Sequence, residues 1–383
     1  MTMQFRKFGK LDWNASILGF GCMRLPVVDG NHIGPNIKEA EAMRMIRHAL
    51  EQGVNYFDTA YIYHDGNSET VLGKALRGHR DQVKIATKCP VWLIQTEADF
   101  DRMLNEQLHK LQTDHIDFYL LHALDKKRWS EIVPKYKLLE KAEAAIRDGR
   151  IRHLGFSFHD NYESFSDIVN GYDRWTFCQI QYNYMDTENQ AGTQGLKLAA
   201  ARGLAVVIME PLLGGRLARP PSSIRRMIER SNVKRSPADW ALQWLWNQPE
   251  VSVVLSGMGD MDQVKANLES AARARSQSFQ AADLKLIADL QQKYRERTAI
   301  PCTKCNYCMP CPGGVDIPAN FEIYNEAFLH EDIPGARFKY QIFIPETARA
   351  GVCVACHDCE DRWPQKIPIS QWMPKVHGLL GEA

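Results

Sequence analysis

Surplus charge is the first thing this sequence lacks. Its 383 residues carry 47 lysines and arginines against 46 aspartates and glutamates, a formal net charge of +1. A chain so balanced has no global field to draw in nucleic acid or an anionic membrane, so neither is expected as a partner. Long apolar runs are missing too. No stretch approaches the length of a membrane span, and the start, MTMQFRKFGKL, has no apolar core of the secretory-signal kind. A soluble, cytoplasmic protein is expected. Cysteine is sparse through the first 300 residues, where only Cys22, Cys89 and Cys178 occur. There is no low-complexity tract, and no Gly-x-Gly-x-x-Gly joins the first strand to its helix, which weakens an open, doubly wound sheet.

What the chain does have is alternation. Short apolar runs read as strands at Ile17–Gly21, Asn55–Asp58, Lys84–Thr87, Ile116–Leu121, His153–Phe156, Phe177–Gln181, Leu204–Met209 and Val251–Leu255. Helical patterns fall between them. Asn36 to Glu39 reads as a capping box ahead of Ala42, Met45, Ile46 and Ala49, and Ser68 is placed to cap a helix from Glu69 to Leu76. Strands that are apolar on both faces and alternate with helices make a parallel sheet. Eight such units predict an α/β fold, a closed (β/α)8 TIM barrel. A last helix, Gln280–Arg295, carries Leu284, Ile287 and Leu290. The first domain is expected over 1–296 and a second over 297–383.

In such a barrel the active site lies at the carboxyl ends of the strands. Asp58, Lys88, His122, Ser157, Gln179 or Gln181, Glu210 and Ser256 stand there, and Tyr63 hangs from the loop after Asp58. A buried lysine and aspartate would pair, and the ammonium would lower the pKa of a neighbouring phenol. A phenol so tuned can protonate a carbonyl oxygen, with an imidazole to orient it. That is machinery for reducing a carbonyl with a nicotinamide cofactor.

These residues carry a resemblance. FDTAYIY, KIATK and FYLLH place Asp58, Tyr63, Lys88 and His122 where the aldo-keto reductase family has its catalytic four, and LGFGCMRLP, GRIRHLGFS, QIQYN and EPLLGGRL also match its segments. The likeness spans the barrel. It implies an NAD(P)-dependent oxidoreductase that reduces an aldehyde or ketone, or oxidises the alcohol, with Tyr63 as the proton donor. It also implies cofactor contacts at Gly21 and Met23, at Ser157 and Gln179 for the carboxamide, at Met209 and Glu210, and at Leu212 to Gly214 for the pyrophosphate. The adenosine end would meet Gly257, Met258, Gln263 and Asn267. Three departures stand out: Phe158 follows Ser157, Met209 replaces a stacking aromatic, and Gly257 and Gln263 stand where a cation often holds a 2′-phosphate. Lys265 is close in sequence. Both NADPH and NADH therefore stay open. No cluster of arginines demands a charged substrate, although Arg24 could hold one carboxylate. His159 and Asp160 are placed towards the mouth, and Trp92 reads as a pocket or rim residue.

The other seven cysteines crowd the end. Cys302, Cys305, Cys308 and Cys311 are spaced by two residues and followed by Pro312; Cys353, Cys356 and Cys359 repeat the spacing, with Trp363 where a fourth would fall. The pattern is close to the bacterial ferredoxin run, and the helical stripe Ile317, Phe321, Tyr324, Ala327 and Phe328 between the runs suggests a small α-helical ferredoxin-like iron–sulfur domain. Similar tails, with YCMPCP and GVDIP, follow the barrel in a branch of aldo-keto reductases. Under the rule that the fourth cysteine serves the other cluster, Cys311, Cys353, Cys356 and Cys359 hold a complete [4Fe–4S] cluster, and Cys302, Cys305 and Cys308 an incomplete one. The alternatives are a cluster local to the first run, or zinc. An electron-transfer protein is a possible partner. A rival function follows from the tail: an electron-transfer or redox-sensing protein whose barrel binds nucleotide without carbonyl turnover.

Overall fold

The computed structural model describes residues 2–28, 34–302, 308–361 and 367–381. Cys305, Trp363 and Pro364 lie outside the described residues. By packing, the chain forms two compact units, Met1–Gly214 with Ala238–Phe279, and Gly215–Pro237 with Gln280–Ala383. The helix Ala281–Arg295, expected to close the first domain, clusters with the second unit.

The first unit opens with an antiparallel pair that the sequence reading lacked, β1 (Phe5–Lys7) and β2 (Asn14–Ser16). Each strand is three residues long and largely polar, so no apolar alternation marks it. Between them Phe8 is fully buried, against Tyr56, Phe118 and Phe177 near the amino ends of the barrel strands. Eight strands follow: β3 (Leu18–Gly21), β4 (Tyr56–Asp58), β5 (Lys84–Pro90), β6 (Ile116–Leu124), β7 (Ile151–Phe158), β8 (Phe177–Gln181), β9 (Ala205–Met209) and β10 (Val251–Gly257). They pair in parallel in chain order, and β10 pairs β3 to close the barrel. The expected (β/α)8 architecture is therefore present. β5 and β6 run past Lys88 and His122, which pairs Lys88 with Leu120 and Pro90 with His122 in register.

Two expected caps do not form. The helix after Asn36 begins at Glu39 with Lys38 before it and no side-chain cap. Ser68 lies inside the helix Asn67–Leu76, where its hydroxyl donates to Cys22 O at 2.9 Å and meets Thr59 Oγ1 at 2.9 Å. Ser68 thus fastens the helix to strand ends.

In the second unit the helix Ser222–Glu229 packs on Ala281–Arg295. Helices Ile317–Leu329, Ile333–Phe343 and Ile369–Leu380 pack on one another. Asp316 and Asp332 cap two of them, accepting from Ala319 N at 3.1 Å and Gly335 N at 3.0 Å. Buried Asn320 donates to Ala348 O at 2.9 Å and accepts from Ala350 N at 2.7 Å, tying the chain before the second cysteine run to the first of these helices. Ile317, Phe321, Tyr324 and Ala327 enter the core as expected, whereas Phe328 and Leu284 stay exposed. Among the described residues no helix is long and apolar enough to cross a membrane.

Candidate active site

Lys88 organises the mouth. Only 1% of its side chain is exposed, and its Nζ donates to Asp58 Oδ1 at 2.6 Å, Thr59 O at 2.7 Å and Tyr63 OH at 3.3 Å. Parallel pairing sets this meeting, since Asp58 is in register with Ala86, two residues before Lys88. The ammonium also lies 4.8 Å from the Tyr63 ring centre. Burial opposes its charge, but Asp58 and Tyr63 more than offset that and hold Lys88 above the ordinary ammonium range. Burial raises the Asp58 carboxyl and the nearby ammonium pulls it back.

Tyr63 departs from expectation in one respect. Its pKa is raised: burial outweighs Lys88, and Asp58 adds repulsion. The phenol stays protonated, as a donor must, and the expected lowering is absent because a buried phenolate loses more hydration than one shared ammonium returns. A strained turn aims the ring. His64 and Asp65, neither of them glycine, take φ of 51° and 56°, and Gly66 follows at 84°. His64 is buried; its Nε2 accepts from Leu25 N at 3.1 Å and its Nδ1 meets Gly34 O at 2.7 Å, so the neutral tautomer is fixed with Nδ1 donating.

The His122 ring stands nearly edge-on to Tyr63, with centres 6.2 Å apart at 80°. Burial, then Lys88, His159 and Arg128, push its pKa well down, so it is a neutral imidazole. Among the described residues its Nδ1 has no hydrogen-bond partner. Trp92 lies against it, ring centres 5.1 Å apart, which makes Trp92 a wall of the site.

Across β7 to β9 the expected cofactor residues adjoin. Ser157 is in register with Gln179, and Gln179 with Val207. Ser157 Oγ accepts from Ala123 N at 2.7 Å, leaving its own proton to donate. Gln179 donates to Met209 Sδ at 3.9 Å, and its Oε1 is buried without a partner among the described residues. Gln181 is engaged by Asp186 at 2.8 Å, which leaves Gln179 as the glutamine with an open amide oxygen. Glu210 takes φ 53° and leads through half-buried Leu212 to Gly214 at φ 67°. Gly21 pairs with Gly257, and Met23 is exposed beside them. Met258 is buried, Asn267 donates to Ser256 Oγ at 3.0 Å, and Gln263 holds Asp260 at 2.6 Å and Gly259 N at 3.1 Å. Arg24 donates to Gly214 O at 3.3 Å, with its stem 3.4 Å from where a Gly257 side chain would begin, so it spans the expected cofactor side. Lys265 instead shares a surface depression with Met3, His48 and Gln52. His159 is exposed, and Asp160 accepts from Lys126 N at 2.9 Å.

Behind Lys88 lies a polar network that the sequence reading missed. Glu69 Oε1 accepts from Thr87 Oγ1 and Gln107 Nε2, both at 2.6 Å, and Gln107 also reaches Lys88 O at 3.2 Å and accepts from Tyr119 OH at 2.8 Å. The available signal was an acid in phase with Leu72 and Leu76 on a buried helix face.

Of the tail cysteines, Cys308 and Cys359 are buried, and Cys302, Cys311 and Cys353 pack on the same core. Cys359 feels the charges of Cys311 and Cys353, and Cys356 is exposed. A side chain built on Gly313 would come 3.8 Å from Cys311 Sγ and 3.6 Å from Val352 O, so the end of the first run abuts the start of the second. Among the described residues no three donors converge tightly enough to form a metal centre.

The model of the aldo/keto reductase family matches residues 17–287, ending before the tail cysteines. The uncharacterized oxidoreductase YqkF of Bacillus subtilis is 25% identical over 304 residues, 71% of this chain and 92% of its own. Aldo-keto reductase AFTS1 of Alternaria alternata is 29% identical over 238 residues, 51% of this chain and 63% of its own. Among solved structures, the holo form of aldo-keto reductase AKR11C1 from Bacillus halodurans is similar with a TM-score of 0.61 and 28% identity, covering 75% of this chain and 96% of that one.

Proposed function

The chain belongs to the aldo/keto reductase family and is an NAD(P)-dependent oxidoreductase, and on that premise we propose that it converts a small aldehyde or ketone plus NAD(P)H and a proton into the alcohol plus NAD(P)⁺, or the reverse, through Asp58, Tyr63, Lys88 and His122. The carrying observation is the single ammonium of Lys88 shared between Asp58 at 2.6 Å and Tyr63 at 3.3 Å, beside a neutral imidazole.

When bound, the nicotinamide supplies the hydride. The protein's own groups do the rest. Tyr63 gives its phenolic proton to the carbonyl oxygen, and Lys88 stabilises the negative charge left on the phenolate. Asp58 keeps Lys88 charged and still. His122, neutral and edge-on to Tyr63, donates a ring N–H to orient the carbonyl. The unpaired Gln179 Oε1 and the free Ser157 proton suit a carboxamide, and exposed Gly214, at the end of the turn through Leu212, suits close approach of a pyrophosphate. The cofactor is NADPH or NADH.

The tail is read as an iron–sulfur domain, residues 297–383. The proposed ligand set for one [4Fe–4S] cluster is the crossed one, Cys311, Cys353, Cys356 and Cys359. Cys311 abuts the second run, but the four thiols do not converge as they stand, so a cluster would have to draw them together, and it would supply one-electron chemistry or a structural staple. The barrel domain is read as 1–296.

The test is NAD(P)H consumption with a panel of aldehydes and quinones, for wild type and Tyr63→Phe, with nucleotide binding measured alongside. Turnover by wild type only is expected. Binding by both with turnover by neither would favour the electron-transfer reading instead. Iron and sulfide counts after anaerobic purification test the tail, and zinc alone would remove the cluster.

A further inference from the structure

One cation at the mouth has no role in this scheme. Arg128 opens a short helical turn, Arg128–Ile132, soon after the end of β6, the strand that carries His122. Its guanidinium carbon lies 5.3 Å from the centre of the Trp92 ring, the same indole that packs on His122. It is pinned by one nitrogen: Nη1 donates to Ala123 O at 2.7 Å and pairs with Asp125 at 2.9 Å. Its other edge, Nε with Nη2, makes no hydrogen bond among the described residues, and 30% of the side chain is exposed. That edge is the planar fork that pairs with a carboxylate through two parallel hydrogen bonds.

The surroundings favour an anion. Lys126 and Lys127 precede Arg128 in the same short segment and are exposed, and Asp125 and Glu131 offset two of these three cations. Asp160 is taken up by the backbone of Lys126 and Asn161. Both His122 and His159 feel the Arg128 charge, so the guanidinium is electrically part of the site. A structural role accounts for only one of its nitrogens, whose partners are Ala123 O near the end of β6 and Asp125 just after it. Holding the flat group against an indole also means that little side-chain freedom is left to lose on binding.

We propose that the physiological substrate carries a carboxylate beyond its reacting carbonyl, and that Arg128, stacked on Trp92, is the residue that binds it. This rests on the carbonyl-reducing reading above. It revises the expectation that Arg24 serves a substrate carboxylate, since Arg24 is turned to Gly214 and Gly257.

The experiment compares 4-carboxybenzaldehyde with its uncharged methyl ester, methyl 4-formylbenzoate, on the full-length protein. Wild type, Arg128→Gln, Arg128→Lys and Lys127→Gln are measured. Wild type should favour the acid in kcat/KM, and Arg128→Gln should reduce the acid-to-ester ratio by about tenfold to a hundredfold, the worth of a charge-assisted pair, chiefly through KM. Arg128→Lys should retain part of the preference. Lys127→Gln removes an equal charge from the same segment and should leave the ratio within about twofold, as a screened surface charge does. An unchanged ratio in Arg128→Gln, or an equal fall in Lys127→Gln, overturns the assignment while leaving the reductase reading intact. Turnover of neither aldehyde by wild type overturns both.

Discussion

The barrel mouth and the cysteine tail are opposite solutions to gathering side chains. At the mouth, Asp58, Tyr63, Lys88 and His122 come from three strands and a loop, yet hydrogen bonds of 2.6–3.3 Å join the first three. In the tail, seven cysteines stand in two tight runs, and Cys359 feels the charges of Cys311 and Cys353 without a hydrogen-bonded ladder among the described residues to hold them together. The difference lies in what sets the geometry. At the mouth, backbone register places Lys88 beside Asp58 before any ligand binds, and Thr59 O and the Glu69 network fix it there. Thiols in short loops have no such ladder; if the tail is the metal domain proposed above, the ion itself would draw its ligands together, and its binding energy would become folding energy. A preorganised mouth should therefore lose chemistry but not fold when its key atom is removed. The tail should lose fold when its ligands or its buried ion cluster are removed.

The largest effect is expected at the mouth. Tyr63→Phe removes one hydroxyl, and kcat should fall by roughly 10²- to 10⁴-fold, the usual worth of a positioned general acid, while nucleotide affinity and melting temperature stay close to wild type. Steady-state kinetics with a titration of nucleotide fluorescence checks this, and a kcat within threefold of wild type would remove Tyr63 from the chemistry. In the tail, Cys311→Ser should abolish the cluster, with about four irons lost per chain, whereas Cys302→Ser should leave that cluster in place. Equal losses in both variants would break the crossed ligand set in favour of one local to the first run.

Next comes a packing effect in the second unit. Arg216 is buried in the second unit, 2.7 Å from Glu326 and 3.2 Å from Asp332, and Lys339 also meets Glu326 at 3.0 Å. Arg216→Met strands a buried carboxylate, a change that usually costs about 3–5 kcal/mol. Lys339 remains as a partner, so the loss should fall at the low end, about 3 kcal/mol in urea unfolding. A variant as stable as wild type would mean that these charges are already well hydrated.

How much of this was legible tracks the same contrast. The barrel could be read because each strand is a short apolar run buried on both faces. The meeting of Asp58, Lys88 and Tyr63 could be anticipated because the first two sit at or near adjacent strand ends and the third in the loop that follows. The hairpin β1–β2 could not, being too short and too polar to show a period. Nor could the union of Gly215–Pro237 with the tail, which depends on contacts between distant segments such as Arg216 with Glu326. The direction of the Tyr63 shift was misjudged because it weighs burial against one ammonium, and burial is not visible in a motif. Arg128 and His64 were missed for a related reason: their meaning lies in loop geometry, a stack on Trp92 and a left-handed turn, and neither falls on a periodic pattern.

Two buried imidazoles, one in each unit, extend the comparison to pH. His122 is neutral at the mouth, where it is proposed to orient the carbonyl. His330 lies in the second unit, 5% exposed, with neither ring nitrogen hydrogen-bonded among the described residues. Burial pushes its pKa down to about 4; Arg216 and Lys339 add to this, and Glu326 and Asp332 oppose it. In the unfolded chain the same ring titrates near 6.5. Below that value the unfolded state takes up a proton that the folded state refuses, so stability falls as pH drops from 6.5 and levels off near pH 4. Between pH 6.5 and 5 the loss should be about 2 kcal/mol. His330→Leu removes the titrating ring, and the slope of unfolding free energy against pH should flatten in that window. An unchanged slope would assign the acid sensitivity to the carboxylates around Arg216 and leave His330 a spectator.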